Sequence, residues 1–269
     1  MLADMVTPGN RLVDVGCDHG YLSISLVGAG ICPGAIAMDV REGPLAAARA
    51  HIAEAGLGDY IDVRLSDGLA GCGQGEADTL VCAGMGGRLM ERILREGLEK
   101  ACRMRELILQ PQSELPQFRV FLREAGFAVI DENAVFEDGK YYFAMKAVYG
   151  LKTGKMEEGR ETGGHSEAAA GEPVNGRNGS GGQDSDMTEE VTEWQRLYDL
   201  YGELLLRKRH PVLMQYLRQR EGCVRMLEKS LAIAGTRKAE KRLSVLRCEL
   251  EDIKAALAFY IHIQKHLPT

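Results

Sequence analysis

The sequence predicts an α/β fold: a doubly wound, seven-stranded, mostly parallel sheet followed by a C-terminal α-helical coiled-coil hairpin. Three observations carry this reading. Short apolar runs alternate with helix-like stretches over the first 150 residues. A Gly- and Ser-rich stretch almost without large apolar side chains comes next. Two long segments near the C-terminus then repeat apolar residues at intervals of three and four.

The predicted strands are short, partly β-branched and bounded by Gly, Asp or Pro: Arg11–Gly16, Gly34–Val40, Ile61–Leu65, Ala77–Ala83 and Glu106–Gln110. Between them Tyr21–Gly28, Pro44–Ala55, Arg88–Leu98 and Gln117–Ala125 read as helices. Alternation of this kind makes parallel βαβ units with right-handed crossovers. Gly126–Glu132 and Lys140–Tyr149, joined through the turn-like Glu137-Asp138-Gly139, add an antiparallel hairpin at the edge. These elements define a first domain over residues 1–150. Residues 151–188 read as a flexible linker, because so few apolar groups cannot offset the entropy of ordering.

Residues 189–269 read as a helical tail. Glu189–Arg209 holds the single Trp and ends at His210-Pro211. A second helix carries Leu213, Leu217, Val224, Leu227 and Leu231, interrupted by Arg220 and broken at Gly235. A third carries Ala239, Leu243, Leu246, Leu250, Ile253, Leu257 and Tyr260. Two stripes joined by the tight Ala234-Gly235-Thr236 turn should zip into an antiparallel hairpin.

Composition limits the function classes. Hydrophobic residues make up 45% and charged residues 27%, which excludes a wholly disordered or collagen-like chain. Seven Cys occur singly with no CxxC pair, so neither a disulfide framework nor a metal site is expected, and a reduced cytoplasmic setting fits. No run approaches a membrane span. The net charge of −6 is uneven: residues 1–150 hold 14 Lys/Arg against 21 Asp/Glu, whereas residues 191–269 hold 15 against 9. A basic tail behind an acidic front reads either as a solvated helical surface or as a part that meets a polyanion.

The chemistry concentrates in VDVGCDHGYLS, residues 13–23, which has the strand, Gly-turn, helix layout of a doubly wound fold. A dinucleotide fingerprint would need Gly at 16, 18 and 21, but Asp18 and Tyr21 stand at the last two. A carboxylate there opposes a pyrophosphate at the helix N-terminus. Acid-Gly-Cys-x-x-Gly instead resembles motif I of class I S-adenosylmethionine (SAM) methyltransferases, a Rossmann-like fold. Asp39 closes the second strand, where a carboxylate accepts both ribose hydroxyls in such folds. Asp67 follows the third, where these enzymes hold the adenine amino group. The fourth strand ends in Ala83-Gly84-Met85-Gly86-Gly87, with neither Asn nor Pro. That turn suits a nucleophile that already has a free lone pair, such as a ring nitrogen, or else serves only as a helix start needing small residues.

LVDVGCDHGYL, SDGL, AGMGGRLMERIL, LILQPQ and EDGKYY together resemble the successive signatures of the bacterial TrmK family, the tRNA (adenine-22-N1)-methyltransferases. The likeness runs from Arg11 to Tyr149 and resumes in LLLRKRHPVLMQYL. Leu2–Val6 stands where family members carry an additional leading helix, so Met1 reads as a truncated or internal start, and the insertion at 153–188 exceeds the family's usual length. The resemblance implies SAM as cofactor and tRNA as substrate; the composition adds the expectation of no metal and no membrane partner, and a monomer is expected. It implies that Gly16, Cys17, Asp18, Asp39, Asp67, Gly68, Ala83, Gly84 and Met85 line the SAM site. Asp18, His19 and Tyr21 fall where the target adenine approaches, and Gln110, Pro111 and Gln112 border the same mouth. Basic tail residues, among them Arg207, Lys208 and Arg209, would clasp tRNA phosphates. Asp18 is the first candidate to accept from the exocyclic amine, its alternative being a helix cap; Tyr21 would stack on a flipped base or pack as a helix residue. Two other functions fit the same residues: a small-molecule methyltransferase with a dimerising tail, and a SAM-fold RNA-binding module without catalysis.

Overall fold

A computed structural model describes residues 1–151, 194–234 and 236–261. The expected linker and the Gly235 helix break lie outside the described residues. In chain order the elements are α1 (Leu2–Met5), β1 (Leu12–Val15), α2 (Tyr21–Gly28), β2 (Ala35–Asp39), α3 (Glu42–Glu54), β3 (Ile61–Leu65), β4 (Thr79–Met85), α4 (Gly87–Glu96), α5 (Leu98–Ala101), β5 (Glu106–Pro111), α6 (Leu115–Glu124), β6 (Phe127–Glu137), β7 (Lys140–Tyr149), α7 (194–201), α8 (Glu203–Arg207), α9 (Pro211–Ala234) and α10 (Arg237–Ala258). None of the described helices is long and apolar enough to cross a membrane.

All seven strands form one sheet in the order β3-β2-β1-β4-β5-β7-β6. The first five are parallel, and β7 runs antiparallel to both of its neighbours. Side chains alternate across the sheet, so Val13, Val15, Ile36, Met38, Leu80 and Cys82 face one side and pack against Met90 and Leu94 of α4 and Phe118 and Leu122 of α6. Leu12, Ala35, Ala37, Val81 and Ile108 face the other, against Leu26 of α2 and Leu45 and Ile52 of α3. Burial on both faces explains why these strands read as continuous apolar runs.

Two expectations are corrected. The first strand of the edge hairpin, expected over Gly126–Glu132, is β6, which starts at Phe127 and continues past Glu132 to Glu137. Asp138 and Gly139, with φ of 49° and 76°, then make the two-residue turn that twisted hairpins favour. The predicted helix Glu189–Arg209 is also interrupted: Gly202, at φ 91°, separates α7 from α8.

That interruption has a cause. A Cβ at Gly202 would lie 2.5 Å from Glu132 Oε1. Glu132 is buried on β6, accepts from Arg119 Nε at 3.1 Å and from the Leu204 amide at 3.0 Å, while the same guanidinium donates to the Asp199 and Leu200 carbonyls. The pair therefore caps the end of α7 and the start of α8 and pins both to the sheet. Around it the extended hairpin contributes Ala134 and Phe143 to a third core with Leu197, Leu205, Leu213, Leu217, Val224, Leu246 and Ile253.

The predicted stripes meet in the α9–α10 hairpin, except that Leu227 is exposed rather than buried. Arg220, which breaks the α9 stripe, pairs with Glu249 of α10, and Arg247 pairs with Glu228. Thr236 caps α10 by accepting from the Ala239 amide at 3.2 Å.

Removing one partner of a fully buried ion pair leaves an uncompensated charge. Glu132→Ala should therefore lower unfolding free energy by about 3–5 kcal/mol. Lys208→Ala, which breaks a half-exposed pair with Asp131, should change it by less than about 1 kcal/mol. Urea unfolding of both variants checks this, and equal losses would contradict the assigned role of the buried pair.

Candidate active site

β1 is the strand where the sheet changes direction, with β2 on one side and β4 on the other. The loops after β1 and β4 diverge there and open a cavity at the carboxyl ends of the strands. It encloses about 440 Å³, a size suited to a small-molecule ligand. Gly16, Asp18, Asp39, Asp67, Gly68, Ala83, Gly84 and Met85 all line it, so eight of the nine residues expected around a cofactor are brought together. Cys17 is the exception. Its side chain is buried in the core beneath α2 and α3, and burial pushes its thiol up to about 12.

The β1 turn is held open by backbone bonds. The amides of Gly16 and Cys17 both donate to the Met38 carbonyl, at 2.8 and 2.9 Å. Gly16 has φ 76°, a left-handed conformation that favours glycine, and it lies against the movable end of the Met85 side chain across the cavity. Gly20, at φ 74°, is the N-cap of α2, and no side chain caps that helix. The helix-cap alternative for Asp18 therefore does not describe this fold. Asp18 is exposed at the cavity wall in a left-handed conformation, φ 50°, that costs a non-glycine residue energy.

Asp39 is 6% exposed at the end of β2. Its Oδ1 accepts from the Arg41 amide at 2.9 Å, and a carboxylate has room for further donors on the cavity side. Asp67 is not free: Arg92 of α4 grips it through two nitrogens at 3.0 and 3.3 Å, which holds its carboxyl below the usual range. Arg92 was not legible as a site residue, because its approach depends on how α4 lies across the cavity.

His19 and Tyr21 stand beside the cavity rather than in its wall. Tyr21 is 63% exposed, with one face stacked on His51 at 4.9 Å between centroids. His51, from α3, also meets the His19 carbonyl through Nδ1 at 3.1 Å and was missed for the same tertiary reason as Arg92. His19 Nε2 lies 3.7 Å from Asp18.

The residues expected to border the mouth divide. Gln112 is exposed, but Gln110 and Pro111 are buried, and Gln110 Oε1 accepts from the Gly84 amide at 3.1 Å. Their approach to a substrate is thus corrected to a place behind the wall. Arg207, Lys208 and Arg209 are likewise committed: Arg207 to Glu203 and the Tyr198 ring, Lys208 to Asp131, and Arg209 to the Phe259 carbonyl at 2.6 Å.

Beneath the site, alternation in β1 turns Asp14 inward between sheet and α2, where Ser23 Oγ donates to it at 2.9 Å. Burial, with Asp39 nearby, pushes this carboxyl up to about 6. A second cavity, about 320 Å³, opens at the opposite ends of β1–β3, but its Arg64 is taken by Asp62 and Glu76.

Residues 1–145 match the family described as methyltransferase domains. The chain belongs to that family. It is 38% identical over 149 residues to the tRNA (adenine(22)-N(1))-methyltransferase of Bacillus subtilis (strain 168), a match that takes in 55% of this chain and 63% of that protein. Streptococcus pneumoniae Sp1610, to which tRNA (m1A22) methyltransferase activity is attributed, is 30% identical with a TM-score of 0.73, covering 95% of this chain and 96% of that one. It has also been crystallised with S-adenosyl-L-methionine. Bacillus subtilis TrmK is 26% identical with a TM-score of 0.70 and 95% of each chain covered. These matches place the chain in the TrmK family that its motifs resemble.

Asp14 holds its proton more tightly folded than unfolded, so its contribution to stability is complete below its ordinary value of 3.8 and lost as pH rises through about 6. Asp14→Asn does not titrate. Its stability relative to the unmodified chain should rise between pH 4 and pH 7 by up to about 3 kcal/mol. Denaturant unfolding at the two pH values measures the difference, and a constant offset would mean Asp14 titrates normally.

Proposed function

We propose that this chain transfers a methyl group from SAM to N1 of an adenine in tRNA, at position 22 by analogy with the Bacillus subtilis relative. One observation carries the reading. Gly16, Asp39, Asp67 and Gly84, from the ends of four successive strands, surround a single cavity at the switch point of the sheet.

The lining fits SAM by its chemistry. Three carboxylates, Asp18, Asp39 and Asp67, suit a ligand with ammonium and sulfonium charges and ribose hydroxyls, and oppose a pyrophosphate. Asp39 would accept from the ribose hydroxyls. Asp67, steadied by Arg92, would accept from the adenine amine, and the Gly16 and Gly84 backbones allow close approach. When bound, SAM supplies an electrophilic methyl group.

Adenine N1 carries an in-plane lone pair, so no side chain needs to remove a proton before attack. The protein's task is then positioning, together with stabilising the positive charge that develops on the base. Asp18, exposed at the wall and not used as a cap, would accept from the exocyclic amine and face that charge. The free face of Tyr21 is open to stack on the flipped base while His51 covers the other, and His19 stands beside Asp18.

The tail would supply phosphate contacts. Arg207 and Lys208 remain exposed beside their surface pairs, and the exposed cations at the start of α10 would add to them. Arg237, Lys238, Lys241 and Arg242 form no ion pair among the described residues.

Incubation with bulk tRNA and labelled SAM, followed by mapping of the modified nucleotide, tests the proposal. The expected product is N1-methyladenine; methylation on the exocyclic nitrogen, or no incorporation, would overturn it. Asp39→Ala should weaken SAM binding by about 2–3 kcal/mol in calorimetry, through loss of charge-assisted hydrogen bonds. Asp18→Ala should slow single-turnover transfer by ~10²–10³ with modest change in SAM affinity. A stable Asp18 variant with near-normal turnover would remove its catalytic assignment.

A further inference from the structure

The wall made by β4 contains an irregularity that its sequence alone does not reveal. In the β4–β5 ladder Ala83 pairs with Gln110 and Met85 with Pro111, so Gly84 is an extra residue with no partner of its own. This is a β-bulge, and Gly84 adopts the left-handed φ of 77° that a bulged glycine accepts readily. A bulge takes a backbone amide out of the ladder and leaves it free to bond elsewhere; Gly84 itself is exposed, so the amide could have turned to water. Here the acceptor is the side chain of Gln110, 5% exposed, whose Oε1 receives the Gly84 N–H at 3.1 Å.

Two more bonds tie the same loops together. The Gln112 amide donates to the Met85 carbonyl at 2.8 Å, and the Gly87 amide donates to Ser113 Oγ at 3.3 Å. A Cβ at Gly87 would come within 2.5 Å of the Ser113 carbonyl oxygen, so the turn after β4 and the loop after β5 lie nearly in contact. AGMGG and LQPQS are therefore two halves of one latched structure.

The latch has a directional consequence. The peptide between Ala83 and Gly84 is planar and trans, so its N–H and C=O point opposite ways. With the N–H aimed at Gln110, the Ala83 carbonyl oxygen is aimed away from it. The β1–β4 ladder ends at Val15–Cys82, one residue short of Ala83, and both Ala83 and Gly84 line the cavity.

We infer that Gln110 is a positioning residue for methyl transfer: by accepting from the bulged Gly84 amide it fixes the Ala83–Gly84 peptide that forms the reacting wall. This rests on the reading of the cavity as a methyl-transfer site. Gln110 touches no ligand itself, and its effect is transmitted through the one peptide it orients.

Gln110→Met keeps side-chain length without an acceptor; Gln110→Glu, protonated in this buried position, keeps an oxygen where Oε1 stands and an O–H where Nε2 donates to the Pro111 carbonyl at 3.5 Å. The unmodified chain is assayed first with bulk tRNA and labelled SAM, and failure to form N1-methyladenine at that stage counts against the function, not the latch. With both substrates saturating, Gln110→Met should lower the single-turnover rate ~10²-fold, the scale of a small misplacement at a reacting centre. Dissociation constants for SAM and tRNA should change less than about threefold, and Gln110→Glu should recover most of the lost rate. Loss of tRNA affinity with an unchanged saturated rate would make Gln110 a substrate contact and overturn the inference. So would a Glu variant as slow as the Met variant. Should Gln110→Met not fold, hydrogen exchange on the unmodified chain decides: a slowly exchanging Gly84 amide upholds the bond, and rapid exchange overturns it.

Discussion

The site depends on the reversal of strand order beside β1. From β1 the chain moves outward through β2 to β3, then returns to place β4 against the other side of β1 before continuing to β5. Right-handed crossovers in opposite directions place helices on opposite faces, α2 and α3 on one and α4 and α6 on the other. The loops leaving β1 and β4 must therefore part. Glycine follows from this constraint. Gly16 and Gly84 both take the left-handed φ, 76° and 77°, that the β1 turn and the β4 bulge at the rim require.

Charge is distributed to match. Carboxylates gather at the carboxyl ends of β1, β2 and β3, and among the described residues the cations in the cavity lining are Arg41 and Arg92. Arg92 is spent on Asp67, which steadies a side chain that would otherwise move in solvent. Asp14, one layer below, stays buried at an energetic cost and shares its position with Ser23 rather than with a counter-ion.

A second constraint joins the sheet to the helical tail. Because β6 and β7 run on past the sheet, Ala134 and Phe143 offer an apolar platform on which α7–α10 settle. The buried Arg119–Glu132 pair then decides where the chain bends, by accepting the Leu204 amide and leaving no room for a side chain at residue 202. The three consecutive cations at 207–209 sit against this junction, each with a partner inside the protein, though Arg207 and Lys208 stay exposed. The cations left open lie farther along, on the α9–α10 hairpin.

What could be read from the sequence was whatever depends on near neighbours. The period of apolar residues marked the seven strands and the helices between them, the Asp138-Gly139 turn marked the hairpin, and the order Gly16, Asp39, Asp67, Gly84 marked successive strand ends, because a doubly wound fold orders its loops as the chain does. The tertiary structure alone decided contacts made across long separations. Cys17 adjoins Asp18 in sequence yet turns into the core, since a turn sends neighbouring side chains opposite ways. Gln110 looks like a polar group at a strand end until the Gly84 bulge claims it. Arg92 and His51 have no local signature, because what places them is the packing of whole helices. Arg207, Lys208 and Arg209 form a run of positive charge in the sequence, but partners as distant as Asp131 and Phe259 determine whether that charge is available.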